Sequence, residues 1–109
     1  MKKICNLDVN NIEIETITEY PSIFKLKKAL DIAGINYRFD NNSCPIMGES
    51  YEIVVKDPFV SIIEGYGSYG GHQDLLEIMG LLTEEESQYD SVVGYFTAQD
   101  VFDRIQAAV

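Results

Sequence analysis

The chain has 109 residues, 46% hydrophobic and 24% charged, with 18 acidic side chains against 8 basic and a formal net charge of −10. That length suits one compact domain, and the apolar content excludes disorder over most of the chain because it is enough to offset ordering entropy. No apolar run approaches the roughly 20 residues of a membrane-crossing helix, and the basic start Met1-Lys2-Lys3 meets polar Asn6 and Asp8 before a signal core could form; the expectation is a cytoplasmic protein with no membrane partner.

Residues 12–18, Ile-Glu-Ile-Glu-Thr-Ile-Thr, alternate apolar and polar with β-branched side chains and predict a half-buried strand. Tyr20-Pro21-Ser22 opens a helix, since proline suits a first turn whose N–H has no intrahelical partner. Ile23, Leu26, Leu30 and Ala33 recur at helical spacing with Phe24 beside them, while Lys25, Lys27, Lys28 and Asp31 lie off that stripe. Gly34 is the expected C-cap. Ile35 to Phe39 then predicts a strand, and residues 40–50 a polar loop. Tyr51–Lys56 and Phe59–Glu64 flank Asp57-Pro58, which predicts a hairpin with Pro58 in the second turn position.

A glycine-rich loop, Gly65 to His72, precedes a predicted short helix whose apolar residues are Leu75, Leu76, Ile78, Met79 and Leu82. Thr83 to Ser91 is acidic and expected to be mobile, and Val92 to Phe96 predicts a short strand. Thr97-Ala98-Gln99-Asp100 has the spacing of a capping box, and Ala98, Val101, Phe102, Ile105 and Ala108 mark the buried stripe of the helix it opens. Together these elements predict a single α+β domain over residues 1–109, a mainly antiparallel sheet of about four strands with three helices.

Charge is unevenly divided. Residues 1–54 hold six basic side chains against eight acidic, whereas residues 55–109 hold only Lys56 and Arg104 against ten acids. No Lys or Arg occurs between Asp57 and Asp103. Such a surface repels phosphate backbones and anionic lipids and attracts basic partners, so direct nucleic-acid binding is not expected. The simpler alternative is acidity that only maintains solubility. Glu84, Glu85, Glu86 and Asp90 form the densest run and are the candidate partner-binding residues. They lack the alternating ligands and central glycine of a calcium loop.

Two cysteines, Cys5 and Cys44, and one histidine, His72, make no familiar zinc pattern, and without a secretory signal free thiols are expected. No metal, cofactor or catalytic residue is assigned, and no enzymatic activity is expected. Gly65-Tyr66-Gly67-Ser68-Tyr69-Gly70 matches G-x-G-x-x-G, and Asp90 follows at the interval of a ribose-binding acid. The hairpin before it and the absence of Lys or Arg between Asp57 and Asp103 argue against a dinucleotide site. Tyr66, Ser68, Tyr69 and His72 remain candidate contacts for a small neutral, planar or nucleotide-like ligand. The alternative is that the glycines merely turn the chain. A base role for His72 would need an orienting carboxylate, for which Asp74 and Glu64 are the candidates.

Gly67-Ser68-Tyr69-Gly70-Gly71, Leu75 through Thr83, Asp90 through Ala98, and Asp100-Val101-Phe102 resemble a family of small proteins encoded in phages, prophages and other mobile elements of Firmicutes. The stretch from Tyr20 to Tyr37 is similar too, so the likeness covers about two thirds of the chain, most specifically its C-terminal half. It brings no activity, and no residue inherits a role. It implies an accessory protein acting inside a bacterial cell. With the charge pattern, the expectation is a non-enzymatic binding protein that engages a basic surface on a host or phage protein, for example as an inhibitor of a nucleic-acid enzyme.

Overall fold

The computed structural model describes residues 6–109; Cys5 and the basic Met1-Lys2-Lys3 start lie outside the described residues. Thirteen residues from Pro21 to Ala33 form helix α1, with Pro21 in the first turn and Gly34 closing it in the left-handed conformation at φ 72°. Only a residue without Cβ takes that conformation at no steric cost. Five strands follow in an antiparallel sheet whose spatial order is the chain order: β1 (Arg38–Asn41), β2 (Ser50–Lys56), β3 (Phe59–Gly65), β4 (Leu76–Met79) and β5 (Val92–Phe96). A single helical turn, α2 (Glu84–Ser87), joins β4 to β5, and α3 (Ala98–Ala108) ends the chain order.

Strand alternation decides where the core sits. Tyr51, Ile53 and Val55 of β2, Val60 and Ile62 of β3, and Leu76 and Ile78 of β4 face one way. They pack with Ile23, Leu26 and Leu30 of α1 and Val101, Phe102 and Ile105 of α3. Val9, in a 3₁₀ turn (Val9–Asn11), is fully buried beside both helices, and its N–H donates to Gln99 Oε1 at 2.8 Å. The register puts Glu52, Val54, Ser61, Ile63, Glu77 and Met79 on the opposite face of the sheet, away from α1 and α3. The result is an α+β domain with its two longer helices on one side of a five-stranded sheet.

Several sequence expectations are corrected. Residues 12–18 join no strand: Ile12 packs against the core and Lys28 Nζ donates to Glu13 O at 2.9 Å, as Lys25 Nζ does to Asn10 O just before the segment at 3.0 Å, while Ile17 is fully exposed. The predicted strand at 35–39 is displaced to Arg38–Asn41. The hairpin forms, with Lys56 opposite Phe59, but the Asp57-Pro58 peptide is cis and Pro58 holds the third turn position. The predicted helix carrying Leu75 to Leu82 is instead β4, because Leu76 and Ile78 are buried on either side of half-buried Glu77 while β3 supplies the pairing edge. Positive φ at Asp74, Gly80 and Leu81 bounds that strand. The acidic stretch Thr83 to Ser91 is no plain loop: Thr83 and Glu86 make a complete capping box that opens α2. The predicted box at Thr97 and Asp100 is present, with both reciprocal hydrogen bonds.

Candidate functional site

Three carboxyl groups from the sheet side converge on the entry to α1. Tyr20 at the N-cap offers no side-chain hydrogen bond, so the first amides of the helix need acceptors from elsewhere. Asp74 Oδ1 accepts from Ser22 N at 3.0 Å, and Ser22 Oγ donates back to Asp74 O at 2.7 Å. Glu64 Oε1 accepts from Ile23 N at 3.0 Å. Glu49 fixes the approach: its Oε1 accepts from Thr18 Oγ1 and from Tyr51 OH, both at 2.6 Å, and its Oε2 accepts from Glu19 N at 3.1 Å. Those donors hold the Glu49 carboxyl below its ordinary pKa.

Glu64 is the unusual member. It faces the core between β3 and α1, is completely buried, and has no partner for Oε2 among the described residues. Burial, reinforced by the Asp74 carboxylate beside it, pushes its pKa up to about 9, so it keeps its proton at neutral pH. Asp74 and Glu64 are therefore engaged at α1 and not as orienting partners of His72. Sequence reading assigns neither this role. The β3 alternation does carry a signal for Glu64, because Val60, Ile62 and Glu64 share one face. Nothing local announces Asp74.

The glycine loop lies between the antiparallel strands β3 and β4, which is not the parallel β-α-β setting of a dinucleotide fingerprint. Ser68 Oγ is committed within the loop, accepting from Gly65 N and donating to Gly65 O, both at 3.0 Å. Tyr69 N donates to Glu77 Oε1 at 3.0 Å, and Tyr69 O accepts from Tyr95 N at 3.4 Å. Tyr66 and Tyr69 are 41% and 55% exposed, and His72 is exposed in a 3₁₀ turn (Gly71–Gln73). Two cavities stand out, and no residue of this loop lines either. Tyr66, Ser68, Tyr69 and His72 thus share a loop but not a concave wall of either cavity.

The acidic candidates divide in two. Glu86 is held by the two terminal nitrogens of Arg104, each 2.8 Å from a carboxylate oxygen, while Thr83 N donates to Glu86 Oε1. The Arg104 guanidinium drives its pKa down to about 2. Arg104 also donates to Leu81 O and lies 4.4 Å from the Phe96 ring centroid. Glu84 and Glu85 are exposed on the same turn, and Asp90 is exposed where it accepts from Ser91 N at 2.7 Å. Asp100 and Asp103 add exposed carboxylates on α3, and Tyr89 and Tyr95 are 84% and 59% exposed. Among the described residues no three His, Cys, Asp or Glu side chains gather as a metal site requires, and no helix is long and apolar enough to cross a membrane. Comparison of the chain with protein-family models, with curated proteins and with solved structures returns no match.

Proposed function

We propose that this is a non-enzymatic binding protein whose acidic C-terminal half engages a basic surface on a partner protein. The setting proposed is the cytoplasm of a bacterium carrying a phage or other mobile element. One observation carries the reading: the α1 lysines stay on their own side of the molecule. Lys25 and Lys28 bind the carbonyls of Asn10 and Glu13, and Lys27 lies 3.9 Å from Asp31. Glu84, Glu85, Asp90 and Asp103 therefore keep no cationic partner among the described residues. Exposed Tyr89 and Tyr95 add the aromatic anchors common at interface centres. A basic cleft that ordinarily holds nucleic acid is the partner surface such a face fits best.

The test is affinity capture on the immobilised chain, repeated at low and high ionic strength. Binding through this face is expected to weaken at least tenfold with salt and to be lost in the triple variant E84K/E85K/D90K. Capture that is indifferent to both salt and charge reversal removes the reading. A second reading, a grip on a small planar or nucleotide-like ligand by Tyr66, Tyr69 and His72, rests on the exposure of both rings. It predicts a rise in melting temperature in a nucleotide screen, and a flat screen dismisses it.

A further inference from the structure

Cations are scarce in this molecule, and four of the six described Lys and Arg side chains are engaged within it. Lys25 and Lys28 bind backbone carbonyls, Lys27 pairs with Asp31 and lies near the Tyr37 and Phe39 rings, and Arg104 grips Glu86. Two exceptions remain among the described residues. Lys56 makes no ion pair, and Arg38 uses only Nε, which meets Asp40 Oδ2 at 2.8 Å and leaves both terminal nitrogens unused. Both exceptions line the same open cavity of about 810 Å³, walled by residues 33–37 at the end of α1 and after it and by the end of β2.

Register explains why they meet there. Arg38 pairs directly with Val54, and Lys56 lies two residues beyond Val54 on the same face of β2. Diagonal neighbours of that kind stand roughly 7–8 Å apart at the backbone, within reach of long side chains that converge on one group. The remaining wall is mostly apolar, with Ala33, Ile35, Val54, Val55 and Val109, and Asn36 adds one polar side chain. Tyr37 also lines it, but its hydroxyl is turned to Asp31 at 2.6 Å. Asp57 brings one opposing charge to the wall, so the cavity suits a single negative charge rather than several. Its volume is that of an ordinary small-molecule site.

We propose that this cavity binds a small monoanionic amphiphile, with the anionic head between Arg38 and Lys56 and the apolar body against Ile35 and Val54. The shared chemistry is a compact, singly charged anionic head on a hydrocarbon or aromatic body, whether carboxylate or sulfonate. This site is separate from the acidic face and does not depend on it.

Titration of the whole chain with 1-anilinonaphthalene-8-sulfonate, followed by fluorescence, tests it. One saturable site is expected, displaced by decanoate or decanesulfonate and not by decanol; which of the two anions competes better identifies the head group. In R38Q/K56Q the affinity falls at least tenfold, while K28Q leaves it unchanged. Amide shifts on adding decanoate to the unaltered chain are expected at Gly34, Ile35, Val54 and Val55. The proposal is overturned by an absence of saturable binding, by equal displacement with decanol, or by shifts centred elsewhere. The unaltered chain decides the matter even if the double variant fails to fold.

Discussion

Glu64 and Asp74 stand ten positions apart in the chain yet take the adjacent amides of one helix, Glu64 that of Ile23 and Asp74 that of Ser22, each at 3.0 Å. Two carboxyl groups this close cannot both ionise cheaply in a buried setting, so one retains its proton. Burial selects Glu64, since Asp74 is only half-buried. The pair ties β3, the loop after it and α1 together through acceptors that a local N-cap would ordinarily supply. The glycine loop is thereby fixed at both ends, by Gly65 in β3 and by Asp74 against α1.

This arrangement predicts an alkaline weakness. Glu64 has a folded pKa of about 9 against an ordinary value of 4.5. The folded state thus binds the extra proton over that window, and stability falls as pH rises through it. The contribution is complete below about pH 4.5 and gone above about pH 9. Glu64→Gln preserves an acceptor for Ile23 N and carries no charge, so its melting temperature is expected to stay level from pH 5 to 9 while that of the unaltered protein declines. Thermal denaturation followed by circular dichroism measures both. Parallel curves would show that Glu64 is ionised throughout.

Arg104 and Glu86 predict the opposite dependence. Their fork-to-fork contact joins α3 to the turn of α2, and both side chains are 24% exposed. Partial burial and bidentate geometry put the pair at about 1–2 kcal/mol, above an exposed ion pair. Because the Glu86 pKa is lowered to about 2, this contribution is present above about pH 4.5 and is lost as pH falls toward 2. Glu86→Gln is expected to lower the melting temperature by roughly 5 °C per kcal/mol at pH 7. The gap between variant and parent should close on acidification, and a gap that is unchanged at pH 3 refutes the assignment.

What the sequence reveals and conceals follows from the range of each interaction. Pro21, Gly34 and the Thr97–Asp100 box are legible because a helix end is decided within three or four residues. Thr83 and Glu86 carry the same box, hidden by an acidic composition that suggests a solvated loop. β4 is misread because Leu75, Leu76, Ile78, Met79 and Leu82 fit a helical stripe as well as a strand. Pairing with β3 decides between them, and that edge lies outside the local window. The candidate-site residues behave alike. Exposure of Glu84, Glu85 and Asp90 follows from their acidity, whereas the Glu64–Asp74 pair and the Arg38–Lys56 diagonal exist only once the register is known.

Gly94 of β5 tests whether the glycine loop is a fixed part of the fold. A Cβ built there would lie 2.3 Å from Tyr69 Cβ and 2.5 Å from Tyr69 O, and neither atom is the flexible tip of a side chain. The loop would have to lift, breaking the hydrogen bonds from Tyr95 N to Tyr69 O and from Tyr69 N to Glu77 Oε1. Gly94→Ala is therefore expected to cost about 1–3 kcal/mol, the range for forcing extra volume into a packed contact. Gly67, in the same loop, is the control: a Cβ there meets nothing within 4 Å. Gly67→Ala should change stability by less than about 0.5 kcal/mol. Hydrogen exchange separates local from global effects, with faster exchange expected at Tyr95 in Gly94→Ala and not in Gly67→Ala. Equal stability of the two variants would mean that the loop yields freely and that Tyr69 is not held against β5.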